Sequence, residues 1–454
     1  MLRWIMGGRG SQGTIEKSAA LCIGEEQPKN CFTELQVLKG HFDIVRFLVQ
    51  IDDFRFASAG DDGMVLVWNV ETGERLVELR GHTQQITAMT TYTFIKGERP
   101  HTALITASSD RTLSLWDPDS GNRLQTVSDL HSSVKCLLVL DHLDVWLSGG
   151  NELCVWNRDF QLKCKTVHHR DAGTLTAVWL CMLVVCKESN VSWVVDLVIF
   201  KLNLSEAEMS ILAIHHLADH QDTIRSLINI NNELFASGSH IGELILWDTV
   251  NWTIQAYEHI LWEEPAGDGQ SEVRIGQQKQ SEMSIQHMYS DGELITAAVG
   301  SGLYVYNAVM KSIVAYRKVA HDSDILHTEL LDNGRVMSCS EDGSIRIWEL
   351  QDLPLAAEPA STGFFGMFGT FGRSGKQAGA PTKKLLEVPG LRSLELIGDL
   401  IGHSGAVQMF VSFGVKGLVT CSADHLLIVW KDGKRESQLR SLALFQKLEQ
   451  SGGL

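Results

Sequence analysis

Six tryptophans, each closing a short run of alternating apolar residues, restrict this chain to a repeated β fold. Trp68-Asn69, Trp116-Asp117, Trp156-Asn157, Trp247-Asp248, Trp348-Glu349 and Trp430-Lys431 end runs such as Met64-Val65-Leu66-Val67-Trp68 and Ser344-Ile345-Arg346-Ile347-Trp348. Two-residue alternation with β-branched side chains is the pattern of a strand. In four repeats an aspartate stands six residues before the tryptophan: Asp62, Asp110, Asp342 and Asp424. Upstream, Gly40-His41, Gly81-His82, Leu130-His131, Asp219-His220, Ala320-His321 and Gly402-His403 open the units.

The histidine spacing counts the units. From His41 to His82 is 41 residues and from His82 to His131 is 49, one unit each. His131 to His220 is 89 and His220 to His321 is 101, so each interval holds a further, degenerate unit. Leu197-Val198-Ile199-Phe200 and Gly302-Leu303-Tyr304-Val305-Tyr306 supply the missing strands, with Phe200 and Tyr306 in the tryptophan position. A Gly-His…Trp-Asp unit of roughly 40–45 residues resembles the WD-repeat family, whose four-stranded units form the blades of a β-propeller. The resemblance implies an all-β, eight-bladed propeller. Phe32–Leu38 alternates as a strand, and the last unit has none of its own after Trp430. The first strand is therefore expected to complete the last blade and remove a free sheet edge. The expected organisation is a flexible leader at 1–31, a propeller at 32–435 and a C-terminal amphipathic helix with its tail at 436–454.

Charge and cysteines narrow the function. Lys+Arg number 39 and Asp+Glu 55, a net charge of −16, so no broad basic field is available for phosphate backbones and no nucleic-acid partner is expected. The nine cysteines are dispersed without metal-ligand spacing, as suits a reducing compartment where thiols are small apolar groups. Met1–Met6 is too short for a signal-peptide core. The longest apolar run, 174–186, falls short of a membrane span and reads with 191–200 as buried strands. A cytoplasmic location follows as the expectation.

Constellations that resemble chemistry have plainer readings. His41, Ser58 and Asp62, then His82, Ser108 and Asp110, suggest an acyl-transfer triad. A set repeated around a ring instead suggests a His–Ser–Asp–Trp hydrogen-bond chain that staples each blade. The expected staple residues are His41, Asp62, Trp68, His82, Asp110, Trp116, His321, Asp342, Trp348, His403, Asp424 and Trp430. Gly150, Ile241 and Gly300 stand near the aspartate position elsewhere and mark blades expected to be less rigid. Gly8-Arg9-Gly10-Ser11-Gln12-Gly13 matches a dinucleotide fingerprint in letters only, because neither a strand nor a helix flanks it. The sequons at Asn190, Asn203 and Asn251 lack a secretory context, and His168-His169 lack further metal ligands. No catalytic residue, cofactor or metal is expected, and the chain is read as a non-enzyme.

Function on a propeller lies in what departs from the repeat. Tyr92–His101 is a short insertion in blade two, and 263–282 is a polar stretch. The largest departure, 351–392, joins the third and fourth strands of blade seven. Its centre, Thr362-Gly363-Phe364-Phe365-Gly366-Met367-Phe368-Gly369-Thr370-Phe371-Gly372-Arg373, holds four of the 16 phenylalanines. Glycine-rich backbone is unfavourable to order, so this is a poor core segment, yet it is too aromatic for ordinary disorder. It reads as a docking peptide, with packing on its own propeller and contact with a membrane surface as alternatives. Burying four phenylalanines contributes roughly 6–12 kcal/mol gross. Ordering the segment offsets about as much, so the expected contact is reversible. In the tail, Leu439, Leu442, Phe445 and Leu448, with Leu444, suggest an amphipathic helix that packs under its last blade or binds a partner.

The runs Asp43–Gln50, Asp144–Gly150, Thr362–Phe365 and Leu394–His403 further resemble a family of propeller subunits that work in a cytosolic complex. The resemblance spans nearly the whole chain. It implies two DENN-domain proteins as stable partners, a role in autophagy and small-GTPase regulation, and recruitment to lysosomes through a cationic amino-acid transporter. Membrane association would then be indirect. The segment 362–373 would be the transporter-docking element, and the N-terminal strand and C-terminal helix would face a DENN partner. Two alternatives carry less. A ubiquitin-ligase substrate receptor favours arginine three positions after the blade tryptophan, where this chain has Glu71, Asp119, Asp159, Val250, Gln351 and Gly433. A phosphoinositide-binding propeller favours a paired-arginine motif, which the blades do not offer.

Overall fold

The computed structural model describes residues 30, 32–96, 99–128, 130–166, 172–179, 182–187, 196–204, 209–260, 283–331, 334–352 and 392–450. The described strands form eight four-stranded antiparallel sheets. Their inner strands are Val45–Gln50, Ile86–Lys96, Cys136–Leu140, Ala172–Trp179, Ile224–Asn229, Ile285–Ser290, Ile325–Leu331 and Val407–Ser412. Each inner strand touches the next in chain order, and the last touches the first, which closes a ring around a central channel. The architecture is an all-β WD40-type propeller carrying one C-terminal helix, Gly433–Gln450. Blades are numbered here by inner strand, from Val45–Gln50 as blade one.

The core lies between neighbouring blades, and this explains the burial pattern. Third strands such as Val65–Asn69, Leu113–Trp116 and Leu427–Lys431 are buried on both faces. They read as nearly continuous apolar runs because a sheet covers each side. Outer strands such as Arg123–Val127 keep mostly exposed residues, and Arg75–Leu79 is buried only at Leu79. Between blades eight and one, Val419, Leu427 and Val429 pack with Val45, Phe56, Leu66 and Trp68.

A register shift marks the tryptophan position. The third-to-fourth strand pairing slips at Val67/Trp68, Leu115/Trp116, Val155/Trp156, Leu246/Trp247 and Ile347/Trp348. The same slip occurs at Ile199/Phe200 and Val305/Tyr306, so these two aromatics occupy the tryptophan position of their blades. Both are buried. Blade eight differs, because its outer strand is Glu34–Leu38, which pairs Leu35 with Trp430 in unbroken register.

Several boundaries move. The N-terminal strand begins at Glu34 rather than Phe32, and the helix begins at Gly433 rather than Glu436. The Tyr92–His101 insertion does not loop out; it lengthens the first hairpin of blade two into strands Ile86–Lys96 and Arg99–Ser108. The strands flanking the blade-seven departure run further than expected, pairing Gln351 with Ser393 and Asp352 with Arg392. The leader, the polar stretch after Leu261, His168-His169 and all of 362–373 lie outside the described residues. Of the described cysteines, Cys154, Cys339 and Cys421 are buried thiols, and Cys136 and Cys164 are half-buried. Burial pushes Cys421 up to about 12 and Cys154 up to about 11.

Candidate functional site

The repeated polar residues form chains, and their geometry separates stapling from chemistry. In blade one, Trp68 Nε1–H donates to Ser58 Oγ at 2.9 Å, and Ser58 meets His41 Nε2 at 2.8 Å. His41 Nδ1 lies 2.8 Å from Asp62 Oδ2. A hydroxyl that accepts from indole donates onward to Nε2, which leaves Nδ1–H to donate to the carboxylate. Blade seven repeats the chain through Trp348, Ser338, His321 and Asp342, at 2.9, 2.8 and 3.0 Å. Blade eight repeats it through Trp430, Thr420, His403 and Asp424, at 3.0, 2.8 and 3.1 Å. Ser58, Ser338 and Thr420 are 0% exposed, so no substrate reaches these hydroxyls. Burial opposes ionisation of Asp62, but the His41 hydrogen bond and backbone N–H groups outweigh it and hold the carboxyl below its usual range.

Two assignments change. In blade two the hydroxyl beside His82 is Thr106, not Ser108: His82 Nε2 meets Thr106 Oγ1 at 2.7 Å, and Trp116 donates to it at 2.8 Å. Ser108 donates to the Gln84 carbonyl instead. The lengthened hairpin stretches the His-to-hydroxyl spacing from 17 to 24 residues, which hides the true partner. Thr106 nevertheless stands ten residues before its tryptophan, as Ser58 does.

Blade five, expected to lack its acid at Ile241, uses Glu243. Its Oε2 lies 3.1 Å from His220 Nδ1, and Tyr257 OH donates to Oε1 at 2.9 Å. Glutamate is one methylene longer and reaches the histidine from two positions further along. Burial raises the Glu243 carboxyl, but the His220, Gln221 and Tyr257 hydrogen bonds overcome this and bring it to about 2. Blade three keeps only part of the chain: Trp156 donates to Ser148 at 2.8 Å, while His131 is exposed. In blade six, Tyr306 has no indole N–H, and the buried Thr296 hydroxyl ten residues before it has no hydrogen-bond partner among the described residues.

The departures converge on one end of the ring. Antiparallel strands put every first-to-second and third-to-fourth connection at the same end. From this end the helix leaves blade eight, blade seven's chain departs at Asp352 and returns at Arg392, and blade two's ribbon projects. Phe54, Val250, Val309, Met310 and Val415 are exposed on connections there.

The helix is capped by Asp432, whose Oδ1 accepts the Lys434 N–H at 2.9 Å and the Arg435 N–H at 3.3 Å. Glu436 in the first turn and Lys447 in the last suit the helix dipole. Its first two turns are tied to the ring. Gly433 N–H donates to Thr33 Oγ1 at 3.1 Å, Arg435 donates to the Val415 carbonyl, and Arg440 grips Glu34 bidentately at 2.8 and 3.0 Å. Every residue from Ser437 to Leu444 is exposed, with Leu439 at 46% and Leu442 and Leu444 at 59%. These leucines do not pack under the last blade. The three-residue spacing also drifts by about 60° per step on an α-helix, so the apolar positions wind around it rather than forming one stripe. Phe445 and Leu448 lie on the helix, but their side chains are outside the described residues.

Inside the channel, His287 and His327 stand with ring centroids 4.1 Å apart, a feature the repeat pattern does not signal. Burial pushes His287 down to about 4 and holds His327 well below its usual value, and the neighbouring imidazole adds to the latter. As pH falls through about 6.5, the unfolded chain gains protons that the native rings refuse, so this stability is present above 6.5 and lost below it. Each of the two rings should lose about 1 kcal/mol of stability between pH 7.5 and 5.5. Denaturant unfolding at the two pH values checks this: a double variant, His287→Gln with His327→Gln, should show the shallower loss. An equal loss in both proteins would remove the pair as its source.

Among the described residues, no group of three or more His, Cys, Asp or Glu side chains converges to hold a metal, and no helix is long and apolar enough to cross a membrane. A family model for the WDR41 β-propeller matches residues 1–440. WD repeat-containing protein 41 of Homo sapiens is 54% identical over 464 residues, covering 100% of this chain and 99% of its own. The protein of the same name from Mus musculus is 53% identical over 463 residues, with the same coverage. Among solved structures, the computationally designed protein Ika8 superposes with a TM-score of 0.61 at 17% identity, covering 87% of this chain and 98% of that one. This last likeness speaks to the fold alone.

Proposed function

Because the chain belongs to the WDR41 family of WD-repeat β-propellers, whose fold is generally a non-catalytic scaffold, we propose that it is the adaptor subunit of a DENN-domain complex. In this reading the complex regulates autophagy and small GTPases. It works in the cytoplasm and is recruited to the lysosomal membrane when residues 362–373 dock on a cationic amino-acid transporter. The eight sheets act as the blades of a rigid ring that holds two attachment points at one end.

The observation that carries the adaptor reading is the helix, which leaves the ring with Leu439, Leu442 and Leu444 exposed after only its first two turns are tied down. A helix with uncovered leucines fits a subunit completed by a partner. Blade seven's chain departs at Asp352 and returns at Arg392 at the same end, which supports a second attachment point within the same assembly. Separate points suit separate partners, one held stably and one reversibly.

Deleting 362–373 should abolish lysosomal recruitment while leaving co-precipitation of the DENN partners intact, since the deletion lies outside both flanking strands. Unchanged recruitment would rule out the docking role. Loss of the DENN partners as well would show that the two attachments are not separate.

A further inference from the structure

The inner strands of blades one and five to eight enclose a cavity of about 520 Å³ in the channel, towards the end from which the helix departs. Its walls are unlike the stapled blades. The five stapled histidines each have Nδ1 beside a carboxylate. His287 and His327 do not: His287 Nδ1 accepts the Thr328 N–H at 3.3 Å, and the His327 ring nitrogens have no hydrogen-bond partner among the described residues. The two rings tilt at 42°, and Phe410 stands edge-on to His327 at 4.8 Å. Glu329, two residues beyond His327 on the same strand, lines the same cavity.

Burial raises the Glu329 carboxyl, and no cation stands beside it among the described residues. A partly buried carboxylate without a counter-charge is unfavourable, and it gains most from a cation that enters the cavity. The neighbouring rings are neutral at physiological pH, so they offer faces to a cation rather than repelling it. A metal ion is a poor fit, because no three ligating side chains converge there among the described residues. A guanidinium fits better than an ammonium. Its planar fork matches a carboxylate, and its flat faces stack on aromatic rings.

We propose that the channel cavity is a binding site for a guanidinium group, held by Glu329 and stacked on the His287–His327 pair. The side-chain amides of Gln50 on blade one and Asn229 on blade five line the cavity on either side and offer polar groups to the rest of the ligand. A free alkylguanidine and an arginine side chain of a bound peptide share this chemistry. The site is independent of the docking elements at 362–373 and on the helix.

The test uses the full chain, with butylguanidine as the probe and butylamine as its comparison. Binding is followed by the ring-proton NMR signals of His287 and His327 and by calorimetry. Butylguanidine should shift both ring signals, and Glu329→Gln should weaken its binding by at least about tenfold. If a capped Gly-Arg-Gly peptide binds more tightly than butylguanidine, the natural ligand is a peptide arginine; if not, it is a free guanidine. Three results overturn the proposal: no shift of either ring signal in the unaltered chain, equal binding by a Glu329→Gln protein that keeps its melting temperature, or equal affinity for butylamine. The first needs no variant, so the test survives a substitution that fails to fold.

Discussion

Replacing Trp247 with alanine should lower the unfolding free energy by about 4 kcal/mol, whereas Trp247→Phe should cost only about 1–2 kcal/mol. The indole is 1% exposed, stacks on Phe235 with ring centroids 6.0 Å apart, and donates to Ser237 Oγ at 2.7 Å. Alanine removes the packed ring and the donor together. Phenylalanine keeps most of the volume and removes only the N–H, leaving Ser237 with the Nε2 of His220 at 2.6 Å. Denaturant unfolding of the two variants separates packing from stapling. If Trp247→Phe is as damaging as Trp247→Ala, the hydrogen-bond chain, not the ring, dominates. Blades four and six already test the idea in nature, for Phe200 and Tyr306 fill the position without an indole N–H and are still buried.

The second large effect is expected at Glu243, whose replacement by alanine should cost about 3–5 kcal/mol near neutral pH. The carboxylate is 0% exposed and serves His220, Tyr257 and the Gln221 N–H at once. Its removal leaves the buried His220 Nδ1–H without its acceptor, while Tyr257 and Gln221 are exposed and can turn to water. Asp62→Ala should cost less, because that carboxylate side chain keeps 6% of its surface in water, which replaces part of what is lost. The sign of the pH effect follows from the depressed carboxyl. Glu243 falls to about 2 from an ordinary 4.5, so its contribution is present above pH 4.5 and fades as pH falls towards 2. The gap between the natural chain and Glu243→Ala should therefore narrow in melts run between pH 5 and pH 3. A constant gap would mean that packing rather than charge accounts for the loss.

The staples show how far residue spacing carries the argument. His41, Asp62 and Trp68 were legible because hairpins of ordinary length place them at recurring offsets, and the same holds for blades seven and eight. Thr106 was missed because seven extra residues separate it from His82; counting backwards from Trp116, which the insertion does not disturb, finds it. Glu243 was missed because spacing locates a backbone position, whereas a longer side chain reaches the same histidine from a different one. The leucines of the tail read as an amphipathic stripe that packs under the last blade or binds a partner, and Leu439, Leu442 and Leu444 all face solvent, against the first alternative.

What the sequence by itself determined is the repeat. Alternating strands that end in an aromatic residue bury both faces only by stacking against their own kind, so period and composition alone specify a propeller with its ends joined. Tertiary structure alone decided what the non-repeated residues meet. The gathering of the helix and the blade-seven exit at one end, and the meeting of His287, His327 and Phe410, join residues distant in sequence. No local pattern records such contacts, because they arise from closing the ring, and closure brings together side chains whose own neighbours in the chain give no sign of it.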